Sequence, residues 1–138
     1  MACSQALFWV SYTYSMPSPA DAEATYTLYR RGLELLEDGD FVDAAEPLAE
    51  AARRAPEKSS VREALGRAYY RAGRFAQAAI EFEAVVEAHH VDDYAHFCLG
   101  RALSKTGEVD RARHHLALAS NLRPDRGDYR FYRRLLDA

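Results

Sequence analysis

The sequence predicts an all-α protein built from stacked helix-turn-helix pairs, an α-solenoid. Three observations carry this reading. Gly32, Gly66 and Gly100 stand 34 residues apart, and Gly39, Gly73 and Gly107 repeat the same interval. Between them, apolar residues recur at three- and four-residue spacing, which puts them on one face of a helix. No stretch alternates apolar and polar residues strictly enough to argue for a strand. A fixed period of this size marks a repeat array, in which no unit can bury its apolar face alone and neighbours must stack.

The elements follow in order. Asp21 is the expected N-cap of the first helix, with Glu23 in its first turn. Leu28, Gly32, Leu35 and Leu36 follow at helical spacing, and Asp38-Gly39-Asp40 ends the helix. Its partner is expected over about 42–55, with Ala44, Ala45, Leu48 and Ala51 or Ala52 in one stripe and Pro56 as the stop. Pro47 lies inside that stretch, where proline costs about 3 kcal/mol, so a late or bent start is expected. Ser59 or Ser60 caps the third helix, and Glu63 completes a capping box with Ser60. This helix carries Ala64, Leu65, Ala68, Tyr69 and Ala72 up to Gly73. The fourth carries Ala76, Ala79, Ile80, Phe82, Val85 and Val86 to about His89. Asp92 or Asp93 caps the fifth, which carries Leu99, Ala102 and Leu103 up to Gly107. The sixth carries Ala112, Leu116 and Ala119 and closes at Pro124. A last amphipathic segment, 128–137, carries Phe131, Tyr132, Leu135 and Leu136.

Residues 1–20 hold no charged side chain and share nothing with the repeats. Pro17 and Pro19 are expected to break the chain before a helix begins. Three readings stand for this extension: a flexible tail, a start at Met16 with the first fifteen residues an artefact of gene prediction, or a short element docked on the array.

Composition bounds the function. The 138 residues suffice for one domain, and a 49% hydrophobic share is that of a packed protein. The net charge of −3 argues against general nucleic-acid binding. Two cysteines, Cys3 and Cys98, are too few for a disulfide framework and fit a reducing cytoplasm. No apolar run approaches the ~20 residues that span a bilayer. Residues 6–10, the one candidate export signal, have no Lys or Arg before them and are shorter than a usual h-region. A cytoplasmic protein, neither exported nor inserted, is expected.

The repeated residues resemble the tetratricopeptide repeat, whose 34-residue pattern runs W-x2-L-G-x2-Y, A-x3-F, P. The first unit has Leu28, Gly32, Leu35, Ala44, Leu48 and Pro56. The second has Leu65-Gly66, Tyr69, Ala78 and Phe82, and the third Leu99-Gly100, Leu103, Ala112, Leu116 and Pro124. Arg31 replaces the usual Leu, Arg62 and His96 replace a large apolar residue, and His90 replaces the last proline. The resemblance implies repeats over about 25–58, 59–92 and 93–126, a capping helix over about 128–137, and a right-handed superhelix.

It also implies a concave groove lined by the first helix of each pair. Carried over position by position, that groove shows Tyr26, Tyr29, Arg30 and Leu33 from the first unit, and Glu63, Arg67, Tyr70 and Arg71 from the second. The third contributes Tyr94, Phe97, Arg101 and Lys105, and Phe131 closes the end. Arg67 with Arg71, and Arg101 with Lys105, are i,i+4 pairs, each on one helix face. Tyr and Arg are the residues most enriched at binding hot spots. The expected function is therefore a protein-interaction module that binds a partner peptide or helix, with an acidic or carboxylate-ended ligand indicated. The alternatives are a solvated charged face without a ligand, or self-assembly through the capping helix or the N-terminal segment. The chaperone-tail carboxylate clamp of some family members needs Lys, Asn and Arg at sites held here by Tyr29, Leu33, Ala64, Tyr94 and Cys98, so that mechanism is not expected.

Signals for chemistry are weaker. His89, His90, His96, His114 and His115 lack an i,i+4 chelating pair, and His96 with Cys98 meets the same objection. No Gly-rich phosphate loop or nucleophile motif occurs, so neither an enzyme, a metal nor a cofactor is expected. Arg123, Arg126, Arg130, Arg133 and Arg134 make a basic C-terminal end, read as a solvated outer face in preference to a contact for nucleic acid or an acidic partner.

Overall fold

The computed structural model describes residues 16–137. Residues 1–15, on which most of the N-terminal extension and Cys3 fall, lie outside the described residues. The described chain is a run of helices with no strand: α1 Pro19–Glu37, α2 Phe41–Arg54, α3 Ser59–Arg71, α4 Phe75–Ala88, α5 Asp93–Lys105, α6 Val109–Leu122 and α7 Gly127–Asp137. Each helix packs on the next in sequence, and α1 also touches α3, so pairs stack into a solenoid.

Turns and close contacts recur at the repeat interval. Gly39, Gly73 and Gly107 have φ between 79° and 86°, the left-handed region that a side chain disfavours. Each lets the chain reverse after the first helix of a pair. Within a pair, Gly32, Gly66 and Gly100 face Leu48, Phe82 and Leu116 across the contact. A methyl group at Gly66 would lie 2.8 Å from Cζ of Phe82, and one at Gly100 would lie 2.7 Å from Cγ of Leu116.

The core forms two clusters. One joins α2 and α3 through Leu48, Ala51, Val61, Leu65 and Ala68, with Leu28, Leu33 and Leu36 of α1 against it. The other joins α4 to α7 through Phe82, Val85, Leu99, Leu103, Leu116 and Tyr129. Tyr69 packs against both and bridges them. Tyr129 ties α7 down: it is fully buried, its ring centroid lies 4.5 Å from that of Phe97, and its hydroxyl donates to Asp93 Oδ2 at 2.8 Å.

Several local expectations are corrected. The first helix starts at Pro19 with Ser18 as N-cap, whose Oγ accepts from the Asp21 amide at 3.2 Å. Pro19 opens the helix rather than blocking it, because a first-turn residue needs no amide donor. Helix α2 begins at Phe41, not late, with Pro47 inside it. Lys58 stands at the N-cap of α3 without a side-chain cap, so the Ser60–Glu63 capping box does not form. Asp92 does cap α5, accepting from the Ala95 amide at 3.0 Å. Ala76 and Ile80 are exposed, while Ala78 takes the buried position of α4.

The polar residues at the usual apolar position, Arg62 and His96, are satisfied in matching ways. Arg62 pairs with Glu81 at 3.0 Å and donates to the Pro56 carbonyl at 2.6 Å. His96, 34 residues on, meets His115 Nδ1-to-Nδ1 at 3.0 Å, and its Nε2 lies 2.8 Å from the His90 carbonyl. A carbonyl only accepts, so His96 carries its proton on Nε2, and His115 donates from Nδ1. Burial, then the neighbouring His96, His114 and Arg111, pull the His115 pKa from 6.5 down to about 4, against an opposing Glu83.

Two outcomes are expected. Gly66→Ala should lower stability by about 1–2 kcal/mol in urea unfolding, despite alanine's better helix propensity, because the buried Phe82 ring would have to shift out of its packing to clear the added methyl group. Between pH 6.5 and 4 the unfolded chain binds a proton at His115 that the folded chain does not, so acidification through that window removes stability. The urea midpoint should fall from pH 7 to pH 4.5. His115→Gln, which keeps a donor for His96 but cannot titrate, should flatten the fall, and an equal fall in both proteins would contradict this account.

Candidate functional site

The first helices of the pairs, α1, α3 and α5, run side by side and open a cavity of about 660 Å³. Leu33, Leu36 and Glu37 line it from α1, Arg67, Tyr70 and Arg71 from α3, and Tyr94, Cys98 and Arg101 from α5. Phe41, at the start of α2, and Phe82, from α4, complete the lining.

Aromatic rings hold the cations by their faces. The Arg71 guanidinium carbon sits 4.3 Å from the Phe41 ring centroid. That of Arg101 lies 4.8 Å from Tyr70 and 4.7 Å from Tyr132. Stacking uses the face of a guanidinium and leaves its in-plane donors for an acceptor. Among the described residues, the Nε atoms of Arg67 and Arg101 are buried without a hydrogen-bond partner. Arg67, Arg71 and Arg101 also make no ion pair among the described residues, whereas Arg53, Arg62, Arg111, Arg123 and Arg126 each pair with a carboxylate. Among the described residues, Glu37 is the carboxylate that lines the cavity. Glu63 is half-buried close by, and burial raises its pKa against the pull of Arg67.

Not every expected groove residue meets there. Leu33, Arg67, Tyr70, Arg71, Tyr94 and Arg101 do. Lys105 lies 5.8 Å from the Phe75 ring centroid and lines a smaller cavity further along. Phe97 is buried against Tyr129 and Tyr132 and offers no surface. Tyr29 packs on the first core cluster, Arg30 pairs with Glu34 at 3.5 Å, and Tyr26 is exposed outside the cavity. Phe131 is exposed beside Tyr132. The sequence reading left out Leu36, Glu37, Phe41, Phe82 and Cys98. The repeat interval was the available signal for two of them, since Leu36 and Glu37 stand 34 residues before Tyr70 and Arg71.

Other candidate chemistry is accounted for by packing. Among the described residues, no group of three or more His, Cys, Asp or Glu could hold a metal ion, and no helix is long and apolar enough to cross a membrane. Arg123 and Arg126 of the basic end pair with Asp125 and Asp128, and Arg130 donates to the Pro124 carbonyl. Burial pushes the Cys98 thiol up to about 12, against the opposing pull of the neighbouring Tyr94, Arg101 and Arg67.

A family model described as Tetratricopeptide repeat matches residues 29–93. No curated protein matches the chain by sequence. Among solved structures, the first TPR of Spaghetti (RPAP3), bound to the HSP90 peptide SRMEEVD, aligns with a TM-score of 0.77 and 16% identity, over 83% of this chain and 91% of that one. The second TPR domain of human RPAP3, in complex with the HSP70 peptide SGPTIEEVD, aligns with a TM-score of 0.79 and 13% identity, over 86% and 98%. MamA AMB-1 aligns with a TM-score of 0.75 and 26% identity, over 96% and 70%. These likenesses speak to the fold.

Cys98 should be inert despite lining the cavity. A thiol pKa raised from 9.0 to about 12 leaves about a thousandfold less thiolate at neutral pH. Alkylation of Cys98, followed by peptide mapping, should be at least about tenfold slower in the native protein than in urea, since a buried thiol is both less ionised and less accessible, and equal rates would refute it.

Proposed function

We propose, from the premise that this chain is a tetratricopeptide-repeat protein, that it is a protein-interaction module whose groove binds an acidic peptide or partner helix. The observation that carries the reading is the convergence of Arg67, Arg71 and Arg101 on one cavity with no carboxylate paired to them among the described residues. A buried donor without an acceptor costs about 1–3 kcal/mol, which a ligand carboxylate would recover. Charge-assisted hydrogen bonds to arginine are among the stronger ones available in water. The acidic peptides held by the two RPAP3 domains, each with a Glu-Glu-Val-Asp end, support the same ligand class. The contacts here would differ, because Tyr29, Leu33, Ala64, Tyr94 and Cys98 stand at the clamp positions.

On this reading the protein is not an enzyme, needs no cofactor, and works as a scaffold in the cytoplasm. Self-assembly through α7 is the second reading, favoured by the exposure of Phe131 and Leu135. Light scattering across a concentration series separates the two, since a strict monomer rejects assembly.

Arg67→Glu with Arg101→Glu reverses the charge at the centre of the groove. Arginine hot spots contribute about 2 kcal/mol or more, so the pair should weaken a groove ligand by at least about a thousandfold. Partners retained from native extract by the unaltered chain and identified by mass spectrometry should be lost with the double variant, with helicity unchanged by circular dichroism. An unchanged set of partners would overturn the reading.

A further inference from the structure

The groove does not end at Arg101. A second cavity of about 160 Å³ opens beyond it, between α5 and α7. It is the first cavity displaced by one repeat. Arg101 stands in it where Arg67 stands in the first, Leu116 where Phe82 stands, Tyr132 where Cys98 stands, and Leu135 where Arg101 stands. The two substitutions toward α7 change what the space can hold. Tyr132 puts an aromatic ring where the first cavity has a thiol, and the volume here is about 160 Å³ against about 660 Å³ there. Leu135 replaces a guanidinium with an apolar side chain, and Leu136 lies beside it. Among the described residues, no carboxylate lines this space, and Arg101 and Lys105 are the charged residues that do.

Resting on the groove reading above, we infer that this second cavity is a subsite for one apolar side chain of the same acidic ligand. The size fits, since a cavity of about 150 Å³ holds a benzene ring. Position argues for the same ligand, because Arg101 lines both cavities. A carboxylate bound to Arg101 from the first cavity therefore brings the neighbouring ligand residues to the mouth of the second. The cationic rim of Arg101 and Lys105 is complementary to an acidic segment carrying that apolar residue and disfavours a basic one. The occupant is thus an acidic stretch with a leucine- or phenylalanine-sized residue on its α7 side.

A random dodecapeptide display library, selected on the full chain, provides the probe, and each enriched peptide is then assayed on the Arg67→Glu/Arg101→Glu chain. Enriched peptides should carry two or more Asp or Glu, with an apolar residue at fixed spacing on one side. Replacing that residue by alanine should weaken binding at least about tenfold, as burial of one such side chain implies. Leu135→Asn should weaken binding by a similar factor and make the alanine change in the peptide neutral, while Leu135→Met should retain affinity. Leu135 is 54% exposed, so neither variant threatens the fold. Enriched acidic peptides lacking the apolar residue, or an alanine effect undiminished on the Leu135→Asn chain, would overturn the subsite and leave the groove reading intact. Peptides retained equally by the Arg67→Glu/Arg101→Glu chain would overturn both.

Discussion

Everything in this molecule depends on how closely the two helices of a pair approach. At Gly32, Gly66 and Gly100 the first helix presents bare backbone to Leu48, Phe82 and Leu116 of the second. That contact covers the apolar stripe between the two helices of a pair. The rest of each apolar face is left for the next pair, which is why the units cannot stand alone. The same contact orients the first helices side by side, so that their remaining faces form one continuous groove.

Because the contact recurs without a slip, the groove is a series of equivalent spaces, and its chemistry is decided by single residues at matching positions. Leu33, Arg67, Arg101 and Leu135 occupy one position in four successive units, which places two cations between two apolar ends. Glu37, Arg71 and Lys105 occupy another, acidic at the first unit and basic after it. Phe41, Tyr70 and Tyr132 hold two of these guanidiniums by their faces, which fixes the side chains in place while leaving their donors open. Order of this kind lowers the entropy that a ligand must overcome on binding.

Where the array departs from its usual apolar pattern, it substitutes matched polar partners. Arg62 with Glu81 and His96 with His115 span the same 19-residue separation in successive units, and each first member also reaches back to a carbonyl six residues earlier. Satisfied in this way, the polar groups escape the cost of burial without partners. The array closes differently. Tyr129 of α7 is buried and bonded to Asp93, while Arg134 stands where the earlier units have their close-contact glycine.

The sequence by itself determined the helices, their pairing and the register, because glycine spacing and helical periodicity are local and repeat three times. Helix geometry put Arg67 with Arg71, and Arg101 with Lys105, on one helix face each, and the resemblance to the repeat family implied that these faces share a groove. The sequence misplaced the start of α1 and the cap of α3, where neighbouring residues offered more than one plausible terminus. Only the tertiary structure decided that Phe97 turns inward to Tyr129, that Lys105 belongs to a different cavity from Arg71, and that Phe41 and Phe82 complete the site. Those outcomes depend on the angle at which one pair meets the next and on the volume of side chains such as Cys98 and Tyr132. Both are properties of the packed stack, and no single repeat encodes them.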